Sequence, residues 1–355
     1  MKSLLRYPVK MALIAIVLLA HLNCNGHSIK KEPSVQQQSA TAPPPAHIVD
    51  TSKQLYSYAE MMEDLNELQR YYPECVKVET RGKSYQGRAI PVVTFGNPTA
   101  QQKVMIQSAI HAREYLSAQL VMAMLEHYAK NYSSGSYQGR SLRDLFQQVG
   151  LVILPMVNPD GVEIAQKGEK GAKTKDVRLW IRQHTQAGVS HTQIKSNARG
   201  VDLNRNFQNG FGKDRKVKWN KDYSHYPGEY PHSEIESQLL LTIAQEHNYV
   251  CFLNYHTCGN LVYYGCKNAS ERVNTKALKM SQLIKRHTGF PLYGPTTSPE
   301  CGSWADEVEV LYGRPSATIE LGTRNPVPIA EFSDLYKKNL WIWADLARTI
   351  VNGDL

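Results

Sequence analysis

The 355-residue sequence has no Gly-x-Ser-x-Gly segment, which excludes the nucleophile elbow of the serine hydrolases. None of its six cysteines forms a Cys-x-x-Cys pair, so no cysteine-based metal site is indicated. The ten-residue apolar run "MALIAIVLLA" is too short to cross a bilayer, so no transmembrane helix is expected in the mature chain. Clusters of Lys and Arg interleaved with aromatics are lacking, which argues against nucleic acid as a partner. No internal repeat is present.

What is present is the composition of an ordinary globular protein, 42% hydrophobic and 21% charged. The length suits one large domain or two small ones. The formal charge is +9, and it falls to +6 without residues 1–26, which carry Lys2, Arg6 and Lys10 and no acid. Such a charge suits an anionic environment such as a cell wall.

The N-terminus reads as an export signal: a basic start, the short apolar run, then small residues at Cys24 and Gly26, with cleavage expected after Gly26. "HLNC" also resembles a lipoprotein site, which would anchor the chain through Cys24, although Asn23 departs from the usual small residue. The expected location is therefore secreted or cell-envelope. Five cysteines follow Gly26; export permits disulfides, and the odd number leaves at least one thiol unpaired.

Residues 27–50 are rich in Gln, Ser, Ala and Pro and read as a disordered tether, with order expected from near Ser52 and a catalytic domain over 51–352. "YSYAEMMEDLNELQRYYPE" has helical spacing at Tyr58, Met61, Met62, Leu65 and Leu68, stopped by Pro73. "CVKVET", "AIPVVTFG", "KVMIQSAI", "VGLVILPMVN", "YVCFLNYHT" and "PSATIELG" read as strands, with "SYQGR" and "NPDG" as turns and "LSAQLVMAMLEHYAKN" as a helix. Residues 163–198 are polar and read as a long surface loop with a short helix at "VRLWIRQ". Alternating strands and helices predict an α/β fold: a single domain whose mixed, twisted sheet is flanked by helices on both faces.

Such sheets bind ligands beyond the carboxyl ends of their strands. His111 and Glu114 follow one strand, His256 ends another and Glu320 lies near the end of a third; Asn204 and Arg205 follow "RGVDL". His111, Glu114 and His256 make a sensible zinc set, since two imidazoles and a carboxylate leave a fourth position for water. Taken singly, each has a plainer use: His256 as a satisfied core histidine, Arg113 and Arg205 as surface ion pairs, Asn204 as a turn residue, Glu320 as the buried partner of a base.

Five segments, "IHAREYLS", "NPDG", "RGVDLNRNF", "FLNYHT" and "ATIELG", stand in the order and at the spacing of the zinc carboxypeptidase family, and the resemblance runs over roughly 300 residues. It covers the catalytic domain alone and leaves no room for the folded activation segment of digestive members. It implies one zinc ion per chain on His111, Glu114 and His256. It also implies that Glu320 is the general base and that Arg113, Asn204 and Arg205 hold a free carboxylate on the substrate. The planar fork of arginine matches a carboxylate in two parallel hydrogen bonds.

The family's oxyanion-stabilising cation, usually an arginine shortly after a tryptophan, has two candidates here: Arg182, one residue displaced, and Lys195, which the resemblance to bacterial relatives favours. The substrate-closing tyrosine of digestive members is replaced by Thr297, with Tyr293 nearby but out of alignment. Asp306, Glu307 and Glu309 are close to the place that reads the departing residue, and one of them could receive an ammonium group; a solvated helix face is the alternative. The closing "NPVPIAEFSDLYKKN" is similar to the bacterial subgroup that cleaves γ-D-glutamyl-diaminopimelate bonds in peptidoglycan peptides. The expectation is thus a monomeric peptidase acting on a cell-wall muropeptide, with release of C-terminal residues from ordinary peptides as the alternative.

Overall fold

A capping box starts the first helix: Ser57 accepts from the Glu60 amide while the Glu60 carboxylate takes the Ser57 amide, and Met61, Leu65 and Leu68 turn inward. The computed structural model describes residues 43–295 and 301–355. The expected export signal with Cys24, most of the tether and Thr297 therefore lie outside the described residues.

In chain order the elements are α1 (Tyr58–Tyr71), β1 (Val76–Lys83), β2 (Ala89–Phe95), β3 (Gln102–Ser108), α2 (Tyr115–Asn131), a short hairpin β4 (Ser136–Tyr137) and β5 (Arg140–Ser141), α3 (Leu142–Gln148), β6 (Val149–Leu154), α4 (Pro159–Lys167) and α5 (Lys175–Gln186). There follow α6 (Ile235–Glu246), β7 (Tyr249–Thr257), β8 (Leu261–Tyr264), α7 (Glu271–Thr288), β9 (Leu292–Tyr293), α8 (Trp304–Leu311), β10 (Ser316–Leu321), α9 (Phe332–Asn339) and α10 (Ile342–Val351). Eight strands form one mixed sheet in the order β1-β2-β6-β3-β7-β10-β8-β9. Its centre, β6, β3, β7 and β10, is parallel.

Those four strands are buried along nearly their whole length, as expected where both faces are covered. Alternation along each strand divides the core. Val104, Ile106, Leu151, Ile153, Leu253 and Tyr255 face a cluster built with α1, α2, α7 and α10. Met105, Val152, Leu154 and Phe252 face a second cluster with Leu240, Ile243 and Trp304 from α6 and α8. Each fully buried side chain of this kind contributes about 1.5–3 kcal/mol. The expected mixed sheet flanked on both faces is what forms.

Three expectations are corrected. Packing begins before Ser52, because the buried Glu126 carboxylate accepts the Ile48 and Val49 amides, both at 2.9 Å. "NPDG" is not a free turn but the start of α4: Asn158 caps the Gly161 amide at 2.9 Å and Pro159 takes the first helical position. The polar stretch 163–198 is mostly regular, carrying the end of α4, the whole of α5 and two short 3-10 turns. The five described cysteines, Cys75, Cys251, Cys258, Cys266 and Cys301, are free thiols. No helix among the described residues is long and apolar enough to cross a membrane.

Candidate active site

Parallel pairing brings the ends of β3, β7 and β10 to one edge, with Glu320 directly opposite His256 in register. At the end of β3 the chain turns through Ala109, whose φ of 48° lies in the left-handed region. Ser117 holds this turn by accepting the Ala109 amide at 3.0 Å and donating to the Glu114 carbonyl at 2.6 Å. Three loops are then tied together. The buried Asn158 amide donates to the Ile110 carbonyl at 3.2 Å and the Ser196 carbonyl at 3.3 Å, and the Ala112 amide donates to the Lys195 carbonyl at 3.0 Å.

His111, Glu114 and His256 converge, each offering one ligand atom with all three atoms within 4.8 Å of one another, and all are buried. The Nδ1 atoms of both imidazoles meet the Glu114 carboxylate, His111 at 2.8 Å and His256 at 3.0 Å. Burial alone would raise Glu114, but the two histidines hold it well below the usual carboxylate range. Behind them the buried Asp202 Oδ1 lies 3.2 Å from His111 Nε2, placing a negative charge against the far side of that imidazole. Two imidazoles and a carboxylate in this arrangement are a donor set that could hold a zinc ion with an open position.

Beside this group lies a cleft of about 220 Å³. His111, Lys195, Asn204, Arg205 and Glu320 line it, as do Asp306 and Glu309 of α8. Burial, countered by His256, then reinforced by the Glu114 charge, pushes the Glu320 carboxyl up to about 7. Lys195 makes no side-chain hydrogen bond or ion pair among the described residues and faces the same space. Trp304 donates its amide to Asn204 Oδ1 at 2.9 Å, which commits the acceptor end of that side chain and leaves the donor end to the cleft. Arg205 is fixed by its Nε on Asp214 at 2.5 Å and its Nη1 on the Asn204 carbonyl at 2.7 Å. Gly302, with φ 73°, lets the chain pass close to this arginine: a Cβ there would stand 2.6 Å from the Arg205 carbonyl oxygen.

Three expected residues fall elsewhere. Arg182 does not reach the cleft. Val177 and Ile181 turn α5 inward, so Arg182 faces solvent, where its 57% exposed side chain pairs with Glu169 at 2.7 Å. Arg113 does not line the cleft that holds Arg205; its Nη1 donates to the Gln193 carbonyl at 3.3 Å, beside His111. Glu307 points away from the cleft, accepting from His232 at 2.9 Å and the Asn209 amide at 2.9 Å. Its neighbour Glu309 takes the amides of Gly265 and Ser316, both at 3.1 Å, and burial together with the Asp306 charge raises its carboxyl to about 8. Tyr293 is exposed on β9, against Tyr263.

Asp202 is the candidate site residue that sequence reasoning passes over. It stands inside "RGVDLNRNF", but nothing in the spacing tells which histidine it will face.

A family model described as "Zinc carboxypeptidase" matches residues 61–302. The chain is 27% identical over 303 residues to the gamma-D-glutamyl-L-diamino acid endopeptidase 1 of Lysinibacillus sphaericus, covering 82% of this chain and 72% of that protein. Among solved structures it is similar to thrombin activatable fibrinolysis inhibitor, with TM-score 0.67 and 17% identity over 89% of this chain and 79% of the other. It is also similar to the carboxypeptidase A of Helicoverpa armigera, with TM-score 0.62 and 22% identity over 84% of this chain and 74% of the other. At these identities the two structures speak for the fold.

Proposed function

Because the chain belongs to the zinc carboxypeptidase family and is a zinc-dependent metallopeptidase, we propose that it hydrolyses the γ-D-glutamyl-diaminopimelate bond of peptidoglycan peptides. His111, Glu114 and His256 hold the metal in this reading. When bound, zinc lowers the pKa of a water and polarises the scissile carbonyl.

Glu320 takes the proton of the attacking water and returns it to the leaving amine. A carboxyl raised to about 7 suits both halves of that transfer near neutral pH. Lys195, rather than Arg182, faces the oxygen on which negative charge develops. Arg205 and Asn204 grip the free carboxylate next to the scissile amide, and Arg113 contacts the substrate on the other side of His111.

One observation carries the choice of substrate: the same small cleft holds a cation at Arg205 and two carboxyl groups, Asp306 and Glu309. A residue with both a carboxylate and a spare ammonium, as diaminopimelate has, finds an opposite partner for each. An ordinary apolar side chain would bring no opposite charge to either side of the cleft. The relative from Lysinibacillus sphaericus, named for a γ-D-glutamyl-L-diamino acid bond, supports the same chemistry. Release into the cell envelope, through the export signal and with or without a lipid on Cys24, is proposed from the N-terminal sequence. A monomer suffices for this chemistry.

The test uses residues 27–355 loaded with zinc. They are incubated with L-Ala-γ-D-Glu-diaminopimelate and, separately, with ordinary peptides bearing free or blocked C-termini, and the products are identified by mass spectrometry. Cleavage at the γ-D-glutamyl bond with ordinary peptides intact is expected. Trimming of ordinary free C-termini alone would replace this reading with that of a peptide carboxypeptidase.

A further inference from the structure

Arg205 does not hold its place by itself. Its guanidinium offers donors along two usable edges, and the Nε edge is already committed to Asp214 Oδ2 at 2.5 Å. One Nη1 hydrogen goes to the Asn204 carbonyl at 2.7 Å. The terminal edge, between Nη1 and Nη2, is what remains for an incoming carboxylate. Which way that edge points is decided by Asp214.

Asp214 is in turn held on two sides. Its Oδ1 accepts the Lys216 amide at 2.9 Å, and its Oδ2 meets His225 Nδ1 at 2.8 Å. His225 has φ 63°, a left-handed conformation that asparagine and histidine tolerate better than most residues. That conformation lets one residue serve two acids. While the ring meets Asp214, the His225 amide donates to Asp202 Oδ2 at 3.0 Å, and Asp202 Oδ1 is the atom facing His111. The His225 carbonyl accepts the Lys218 amide at 3.0 Å, and the Asp202 amide donates to the Tyr226 carbonyl at 2.8 Å, so the loop is fixed on either side.

We propose that Asp214 and His225 are positioning residues for substrate carboxylate recognition, aiming the terminal edge of Arg205 into the cleft. This rests on the assignment of Arg205 as the carboxylate clamp. Neither residue touches substrate. Their effect is to fix in the free enzyme an orientation that Arg205 would otherwise adopt only on binding, so their loss appears as weaker binding of a carboxylate rather than as slower chemistry.

The L-Ala-γ-D-Glu-diaminopimelate peptide is compared with its analogue carrying a carboxamide in place of the carboxylate that faces Arg205. Asp214→Ala is expected to raise KM for the free acid at least tenfold, with kcat within threefold and one zinc per chain. The kcat/KM for the carboxamide should change less than threefold. His225→Leu should follow the same pattern. His225→Asn should restore KM to within threefold of the parent, because asparagine places an N–H donor at the same distance from Cβ and accepts the left-handed backbone. Should Asp214→Ala fail to fold, Asp214→Asn decides, with a KM increase of at least fivefold expected.

A KM unchanged within threefold in the folded aspartate variants, or an equal loss on acid and carboxamide, would overturn the proposal. Arg205→Gln run in parallel separates the two levels. If Arg205→Gln loses far more on the acid than on the carboxamide and the Asp214 variants do not, the positioning role alone fails; if its loss is equal on the two, the clamp assignment fails.

Discussion

Glu320 and His256 are directly opposite one another on the adjacent parallel strands β10 and β7, so the proposed base and a metal-ligand candidate share one hydrogen-bonded frame. A carboxylate fixed in this way needs no reorganisation to receive a proton. Glu320→Gln keeps the shape of the side chain and removes its basicity. Zinc content is expected to stay near one per chain while kcat falls by about three orders of magnitude or more, within the range that general-base catalysis supplies. Activity within tenfold of the parent would remove Glu320 from that role.

Asp202 tests the support behind the metal group. Asp202→Asn keeps its volume and loses the charge facing His111 Nε2. Zinc affinity, measured by competition with a chelator, is expected to fall about 10- to 100-fold with the melting temperature little changed. Equal affinity in the two proteins would mean that the Asp202 charge gives the metal group no support.

Gly302 tests the wall of the cleft. Its φ of 73°, and the 2.6 Å that would separate a Cβ from the Arg205 carbonyl oxygen, leave no room for a side chain. Gly302→Ala is expected to shift Arg205 and raise KM for the free-acid substrate by roughly fivefold or more, with a smaller loss of kcat. An unchanged KM would show that the cleft tolerates the displacement.

Glu236 makes stability depend on pH. Burial, with the charges of Glu234 and Asp160 adding to it, raises its carboxyl from the usual 4.5 to about 8. The folded state therefore binds this proton more tightly than the unfolded chain does. The stability so gained is present in full below pH 4.5, is lost progressively as the pH rises to about 8, and is level above that. Glu236→Gln should unfold at nearly the parental denaturant concentration at pH 4.5 and be more stable than the parent at pH 8.5 by on the order of a few kcal/mol. A difference between the two proteins that does not vary with pH would contradict this.

Much of the frame is legible because its signals are local. The apolar runs of β3, β6, β7 and β10 and the spacing of α1 and α2 each lie within one short segment, and burial on both sheet faces follows from them. The start of α4 is not, because Asn-Pro-Asp-Gly carries the same residues whether it turns the chain or caps a helix; the Asn158 side chain decides, through partners 38 and 48 residues away. The candidate ligand set is legible through the joint pattern of His111, Glu114 and His256 at the strand ends, and the structure brings these three together. The Arg205–Asp214–His225 chain is not, since acids and histidines in a polar loop give no sign of their partners. Arg182 misleads for the converse reason: its tryptophan neighbour is a local sign, whereas the rotation of α5 is set by Val177 and Ile181.

The two halves of the site are held by different means. His256 and Glu320 sit on strands clamped from both sides by packed side chains, and a load on either is spread through the whole sheet. Asn204 and Arg205 hang on a stretch with little regular structure, braced by individual side-chain contacts to Asp214, Trp304 and the chain around Gly302. The candidate metal group and base are thus held by the sheet, and the candidate clamp by single side-chain braces. A change of one brace alters what is held while the reacting centre stays in place, so the range of residues accepted can drift with the chemistry intact.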